Sequence, residues 1–337
     1  MTSNPHRLSD AEIQGFIDGK TKPLGALGRV ETLAAQLARF CNTLTPRIDT
    51  CELVIFAADH GIAIEGVSAF PQAVTQQMVQ NFLAGGAAAN VFARSQGIPV
   101  HVVDAGVAGD PIDHPKLWSR RIAPGTQSSL HGPAMSAAER DAALNAGARI
   151  VANTSAKALA FGEMGIGNTA SASLLAHKLS GLALDDLIGR GTGVDDAGLA
   201  HKSAILAQAS QRTAPSLSAD TALSEYAGFE MVMMAGAMQA AAEDGRIVLV
   251  DGFIATTAAA AALGRAPHIH PAMVFCHRSQ EAGHRVLLEW LDADPLLDMD
   301  MRLGEGTGAL LAWPLVKAAS AMLCDMASFD SAGVSQG

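Results

Sequence analysis

Aromatic side chains are scarce: 4% of 337 residues, with a single tyrosine. A platform that stacks single-stranded bases needs several exposed rings, so that role is excluded. Basic runs are missing too. The 23 Lys and Arg are outnumbered by 33 Asp and Glu, a net charge of 23 − 33 = −10. Without clustered cations to neutralise a phosphate backbone, nucleic acid is not an expected partner. No uninterrupted apolar run approaches the ~18 residues of a membrane span, and the Ala-rich stretch Ile254 to Leu263 is too short. Membrane is therefore not an expected partner either. The polar start, Met1 to Asp10, lacks a charged segment followed by an apolar one, so no secretory signal is expected. Cys41, Cys51, Cys276 and Cys324 form no C-x-x-C pair. Reduced thiols in a cytoplasmic protein are expected, with no metal or disulfide framework.

What is present is an alternation of short β-rich runs with longer helical stretches. It predicts an α/β fold: a doubly wound, mostly parallel six-stranded sheet, Rossmann-like. Strands are expected at Leu53–Ala57, Val100–Val103, Ala158–Phe161, Ile247–Val250 and Met273–Cys276, with a sixth near Leu297–Met301. Each ends in polar or glycine residues, where open α/β sheets bind ligands; the same residues also serve as plain turn formers. Helices are expected over Leu27–Asn42, Gln72–Gln96, Ala137–Ala148, Thr169–Leu179, Ala197–Ser210, Ala222–Glu243, Gln280–Leu291 and Thr307–Ser328. The terminal segments, 1–45 and 308–337, are expected to form a small helical domain beside an α/β catalytic domain of 46–307.

Three glycine-rich segments stand at strand ends or before helices. The first, Gly162 to Thr169, opens a helix and carries Glu163, Gly165, Gly167, Asn168 and Thr169. Amides exposed at a helix start favour a phosphate, although a tight strand-to-helix turn reads the same way. The second, Gly189 to Asp196, carries Gly191, Thr192 and Gly193 before another helix, into which Lys202 falls. Lys202 adds a positive charge there or is an ordinary solvated lysine. The third, Arg302 to Ala309, sets Glu305 among Gly304, Gly306 and Gly308; an acid at a helix start also simply stabilises the macrodipole. His268-x-His270 has no Cys, Asp or Glu at convincing spacing, and Asp298-x-Asp300 would share one strand face that can simply be solvent, so no metal site is expected.

These segments, taken in order, resemble the nicotinate-nucleotide:dimethylbenzimidazole phosphoribosyltransferase family of cobalamin biosynthesis. The resemblance runs from about Lys20 to Ala327. It includes Thr21-Lys22-Pro23-Leu24-Gly25-Ala26-Leu27-Gly28, where the family reads T-K-P-x-G-S-L-G, then Ala57 to Gly61, Gly66 to Pro71 and Asn81 to Ala88. The three glycine segments, Val250 to Phe253 and His277-Arg278-Ser279 complete it. Two departures are Ala26 for serine and Ser128 for the asparagine of a G-T-x-N stretch, which leaves substrate contact through that loop open.

The resemblance implies transfer of 5-phosphoribose from nicotinate mononucleotide to 5,6-dimethylbenzimidazole, with no cofactor. Glu305 matches the catalytic glutamate. Ser68 and Gln76 match positions beside the benzimidazole, Glu163 and Lys202 positions near the ribose and nucleotide, and the glycine turns the phosphate region. A homodimer, each site partly covered by its neighbour, is implied as well. The chemistry suits these residues. The donor's pyridinium leaves as a neutral ring nitrogen, so no general acid is needed. The attacking benzimidazole carries an N–H that a carboxylate must accept; a second carboxylate, Glu163, is the candidate to stabilise positive ribose. Another acceptor, adenine or a phenolic base, and a regulatory nucleotide-binding module without turnover are the alternatives.

Overall fold

The computed structural model of the chain describes residues 7–191 and 193–335. Contacts divide the chain into two units: Met1–Thr50 with Ala312–Gly337, and Cys51–Leu311. In the second, the apolar runs become strands β1 (Cys51–Ala58), β2 (Val100–Gly106), β3 (Leu117–Ser119), β4 (Ala158–Met164), β5 (Ile247–Val250) and β6 (Met273–Phe275). All pair in parallel, in the order β3-β2-β1-β4-β5-β6. That is the doubly wound Rossmann order, in which the winding reverses between β1 and β4. Strands covered on both faces read as continuous apolar runs, and every residue of β1 is buried. Its one charge, Glu52, is satisfied by His101 (2.6 Å) and the N–H groups of Ser155 and Ala156.

The sixth strand differs from expectation. Near Leu297–Met301 only Leu297–Asp298 (β8) is extended. It pairs with His277–Arg278 (β7) as a separate two-stranded sheet. Asp300 turns left-handed (φ 54°) and stops it there. The sixth place in the main sheet belongs to β3, an edge strand of three residues. Between His114-Pro115-Lys116 and Arg120-Arg121 it has no apolar period to announce it.

Two helices expected whole are each broken. Gln72–Gln96 becomes Ala73–Ala84 and Ala88–Ser95, because Gly85 ends the first in left-handed backbone (φ 81°). Ala222–Glu243 becomes Ala219–Tyr226 and Phe229–Glu243. The Ala-rich stretch Ile254 to Leu263 lies in a buried helix, Phe253–Arg265. Helices Ala137–Val151 and Phe229–Glu243 approach backbone to backbone: a Cβ on Gly147 would lie 1.9 Å from the Met233 carbonyl oxygen. Gly147→Ala is therefore expected to destabilise the protein by about 1–3 kcal/mol through overpacking. The check is the urea midpoint, which should fall with m unchanged; a wild-type midpoint would mean that the helices yield freely.

In the smaller unit, Asp10–Asp18 packs against Arg29–Cys41. Buried Lys20 donates to the carbonyls of Leu323 and Met326, closing the end of the last long helix, and Lys22 pairs with Glu31 at 3.0 Å in a buried ion pair. That long helix, Thr307–Asp325, is apolar and long enough to cross a membrane. However, it contains Pro314, and 61% of its most apolar stretch is buried in the protein, as in a core helix. Cys51 and Cys276 are buried and Cys41 and Cys324 half-buried, and no disulfide joins them among the described residues.

Candidate active site

A cavity of about 590 Å³ lies at the carboxyl end of β4. Because β4 sits between β1 and β5, the segments leaving those two strands reach its end from opposite sides. The segment after β1 supplies apolar Phe70, Val74 and Met78. The segment after β5 supplies Asp251 and the helix start Gly252–Ala255. Met164 and Ile166, leaving β4 itself, add to the apolar lining.

Three buried carboxyl groups converge here: Glu163, Asp251 and Glu305. Glu305 sits in an unusual turn. Gly304, Glu305 and Gly306 all adopt left-handed backbone (φ 81°, 61° and 81°). For a residue with a Cβ that conformation costs roughly 1–2 kcal/mol, and such strain gathers at functional sites. Several contacts hold the turn. Asp251 accepts the N–H groups of Gly306 (3.1 Å) and Ala309 (3.0 Å), and Glu163 Oε1 accepts that of Glu305 (3.4 Å). Gly162 lets the turn lie on β4, since a Cβ there would meet the Glu305 carbonyl at 2.5 Å. The Glu305 side chain is 6% exposed, and its Oε2 has no hydrogen-bond partner among the described residues. Burial raises its pKa above the carboxylate range; the Ala89 N–H opposes the shift and Asp251 reinforces it.

Glu163 is shifted further. Burial, reinforced by the charges of Asp251 and Glu230, pushes it up to about 8, so it holds a proton at neutral pH. The Asn168 side-chain amide donates to its Oε2. Asp251 is also raised by burial, against the pull of His277.

The opposite chemistry comes from helix starts. Asn168 and Thr169 begin the helix Asn168–Ser180, and Gly252–Ala255 begins Phe253–Arg265. Both line the cavity together with Ser279, Gly191 and Arg302, whose guanidinium donates to the Gly191 carbonyl (3.0 Å). Free amides and a positive dipole end suit an anion. Lys202 is not a solvated lysine. It is fully buried and donates to Thr169 Oγ1 (3.1 Å) and the Gly189 carbonyl (2.9 Å), tying the two glycine turns together. Burial lowers its pKa to about 8, with Glu281 opposing.

Of the residues singled out in the sequence, Glu163, Gly165, Asn168, Thr169, Gly191, Gly304 and Glu305 line this one cavity. Gly167 and Lys202 are buried but do not line it, and Gly193 is exposed and does not line it. Ser68 is half-buried and accepts the N–H of Phe70 (3.3 Å). Gln76 is half-buried and turns toward Gly109, while Val74 and Met78 of the same helix face the cavity. Thr192 lies outside the described residues.

A phosphoribosyltransferase family model matches residues 3–334. The nicotinate-nucleotide–dimethylbenzimidazole phosphoribosyltransferase of Aromatoleum aromaticum is 55% identical, over 96% of this chain and 95% of its own. The chain belongs to the nicotinate-nucleotide–dimethylbenzimidazole phosphoribosyltransferase family. The same-named protein of Dechloromonas aromatica is 52% identical over 99% and 97% of the two chains. The crystal structure of CobT from Thermus thermophilus superposes with a TM-score of 0.94 at 44% identity, covering 97% of this chain and 99% of that one.

Sequence reasoning missed several residues that line this cavity: Asp251, Arg302, Ser279, Glu281 and the start of helix Phe253–Arg265. Asp251 and Ser279 lie in segments that carry the resemblance, and their place at strand ends is the available signal. Phe70 lies in the Gly66 to Pro71 segment of the resemblance, whereas Val74 and Met78 carry no signal, since apolar residues on a helix read first as core.

Proposed function

We infer that this protein transfers the 5-phosphoribosyl group of nicotinate mononucleotide to 5,6-dimethylbenzimidazole, releasing nicotinate and α-ribazole 5'-phosphate. The observation that carries the reading is a partnerless, buried carboxylate oxygen, Glu305 Oε2, in the cavity of a chain related end to end to enzymes of that name. The flat acceptor packs among Phe70, Val74, Met78 and Met164. The donor phosphate rests on the amides at the helix starts. One benzimidazole nitrogen attacks C1' from the face opposite the pyridine. The C1'–N bonding pair leaves with nicotinate, and the proton on the other benzimidazole nitrogen passes to Glu305. One displacement turns a β-riboside into an α-riboside. Holding the two reactants in line contributes more than the proton transfer.

Incubation with nicotinate mononucleotide and dimethylbenzimidazole should release nicotinate and α-ribazole 5'-phosphate in equal amounts; absence of nicotinate overturns the reading. Adenine or p-cresol turning over faster would change the acceptor, and binding without turnover would leave a regulatory module. Lys202→Met keeps the buried volume but unties the glycine turns. It is expected to raise KM for the nucleotide about tenfold, through loss of charge-assisted hydrogen bonds of about 1.5–3 kcal/mol each. An unchanged KM would make Lys202 purely structural. With this reading go a homodimer and a cytoplasmic location; light scattering on the purified protein checks the former.

A further inference from the structure

Ser128, the departure from the family asparagine, does not line the cavity. Its hydroxyl instead donates to Glu65 Oε1 at 2.7 Å. His131 Nε2 lies 3.2 Å from the same oxygen, and His201 Nε2, on helix Asp196–Ser210, lies 2.7 Å from the Glu65 carbonyl oxygen. Glu65 is therefore gripped at side chain and backbone by two segments remote in sequence. It is the last residue of the 3-10 turn Gly61–Glu65. The first residue of that turn is seated on the same loop: Gly61 donates to Thr126 Oγ1 (3.2 Å), and a Cβ on it would meet the Gln127 carbonyl carbon at 2.3 Å. Five residues beyond Glu65, Phe70 enters the cavity lining although it is 49% exposed. A side chain so exposed takes its position from its loop, and that loop is anchored at Glu65.

We propose that Glu65, clasped by Ser128 and His201, is a positioning residue that sets affinity and selectivity for the acceptor base by fixing the Gly66–Phe70 loop at the cavity. Glu65 touches no substrate. It acts through Phe70, on the flank of β4 that supplies Val74 and Met78. The donor's phosphate contacts come from helix starts at the end of β4 and on its other flank. Loss of the clasp therefore separates the two substrates.

The proposal rests on the phosphoribosyl-transfer reading, for which the wild type is the control. If the wild type releases no nicotinate, that reading falls on its own account. With wild-type turnover established, Glu65→Ala is expected to raise KM for dimethylbenzimidazole about tenfold, a loss equivalent to one or two hydrogen bonds. Discrimination against adenine should narrow, while KM for nicotinate mononucleotide and kcat stay within about twofold. Glu65→Gln keeps an acceptor oxygen for Ser128 and should return KM toward wild type. If Glu65→Ala does not fold, Ser128→Ala, which removes the hydrogen bond to Glu65 and the long one accepted from the Leu130 N–H (3.4 Å), should show the same split at smaller size. An unchanged KM for the base, or equal rises for both substrates, overturns the clasp.

Discussion

Glu305→Gln is expected to fold, to bind both substrates and to lose about 10²–10⁴ in kcat, the usual worth of general-base catalysis. The substitution is close to isosteric. It keeps the left-handed turn no worse than before, because Gln and Glu pay the same steric cost there. It also keeps an acceptor oxygen for the Ala89 N–H. What it removes is the ability of the partnerless Oε2 to take a proton. That interaction exists only as the new C–N bond forms, so kcat and kcat/KM should fall together and KM should stay near its wild-type value. The pH profile is an independent readout. Burial raises the Glu305 pKa, so wild-type kcat/KM should climb as pH passes through that raised value, and the climb should be absent in Glu305→Gln. Removing a charge from a site crowded with carboxyl groups should leave the variant at least as stable as wild type. Near-normal turnover would strip Glu305 of its role.

The sheet was legible because buried parallel strands leave continuous apolar runs, and β1, β2, β4, β5 and β6 all have one. β3 does not: three edge residues among Pro, Lys and Arg are too few for a period. The site was legible in its glycine turns, whose composition is local. Its electrostatics was not. Glu163 and Glu305 are 142 residues apart, yet the N–H of one donates to the carboxylate of the other. Nothing in either neighbourhood announces that Asp251 completes a buried trio. Lys202 shows the same limit from the other side. A lysine on a helix reads as solvated, and only the packed fold reveals it fully buried between two turns. Ser68 and Gln76 entered through the family resemblance alone, and about half a turn of helix separates Gln76 from Val74 and Met78, which line the cavity.

That crowding of carboxyl groups carries a second large consequence. Nicotinate mononucleotide is expected to displace up to roughly one proton per site when it binds near pH 7, and Glu163→Gln is expected to abolish most of that release. In the free protein Glu163 titrates at about 8, because burial beside Asp251 and Glu230 penalises its charge. The donor arrives with a pyridinium cation, and an opposite charge within ~4–6 Å favours the carboxylate. The pKa must then fall in the complex, and affinity must rise with pH from that lowered value up to about 8. The donor phosphate loses its second proton near about 6, so the window from about 6.5 to 8 reports on Glu163. Above it the slope should reverse as Lys202, also near 8, loses its charge. Stability follows the same linkage with its own sign. A carboxyl group whose folded pKa is raised favours the fold most below its unfolded value, and that contribution is lost as pH rises toward about 8. Wild type should therefore lose up to about 1.4 kcal/mol per pH unit across that range from this group, whereas Glu163→Gln should not, so the variant's relative melting temperature should climb from pH 5 to 8. On the proposed reading the order of events matters: Glu163 is the anion that stabilises positive ribose only after the donor has ionised it. Titration calorimetry in buffers of different ionisation enthalpy counts the protons. Zero release by wild type near pH 7, or equal release by Glu163→Gln, would end the argument.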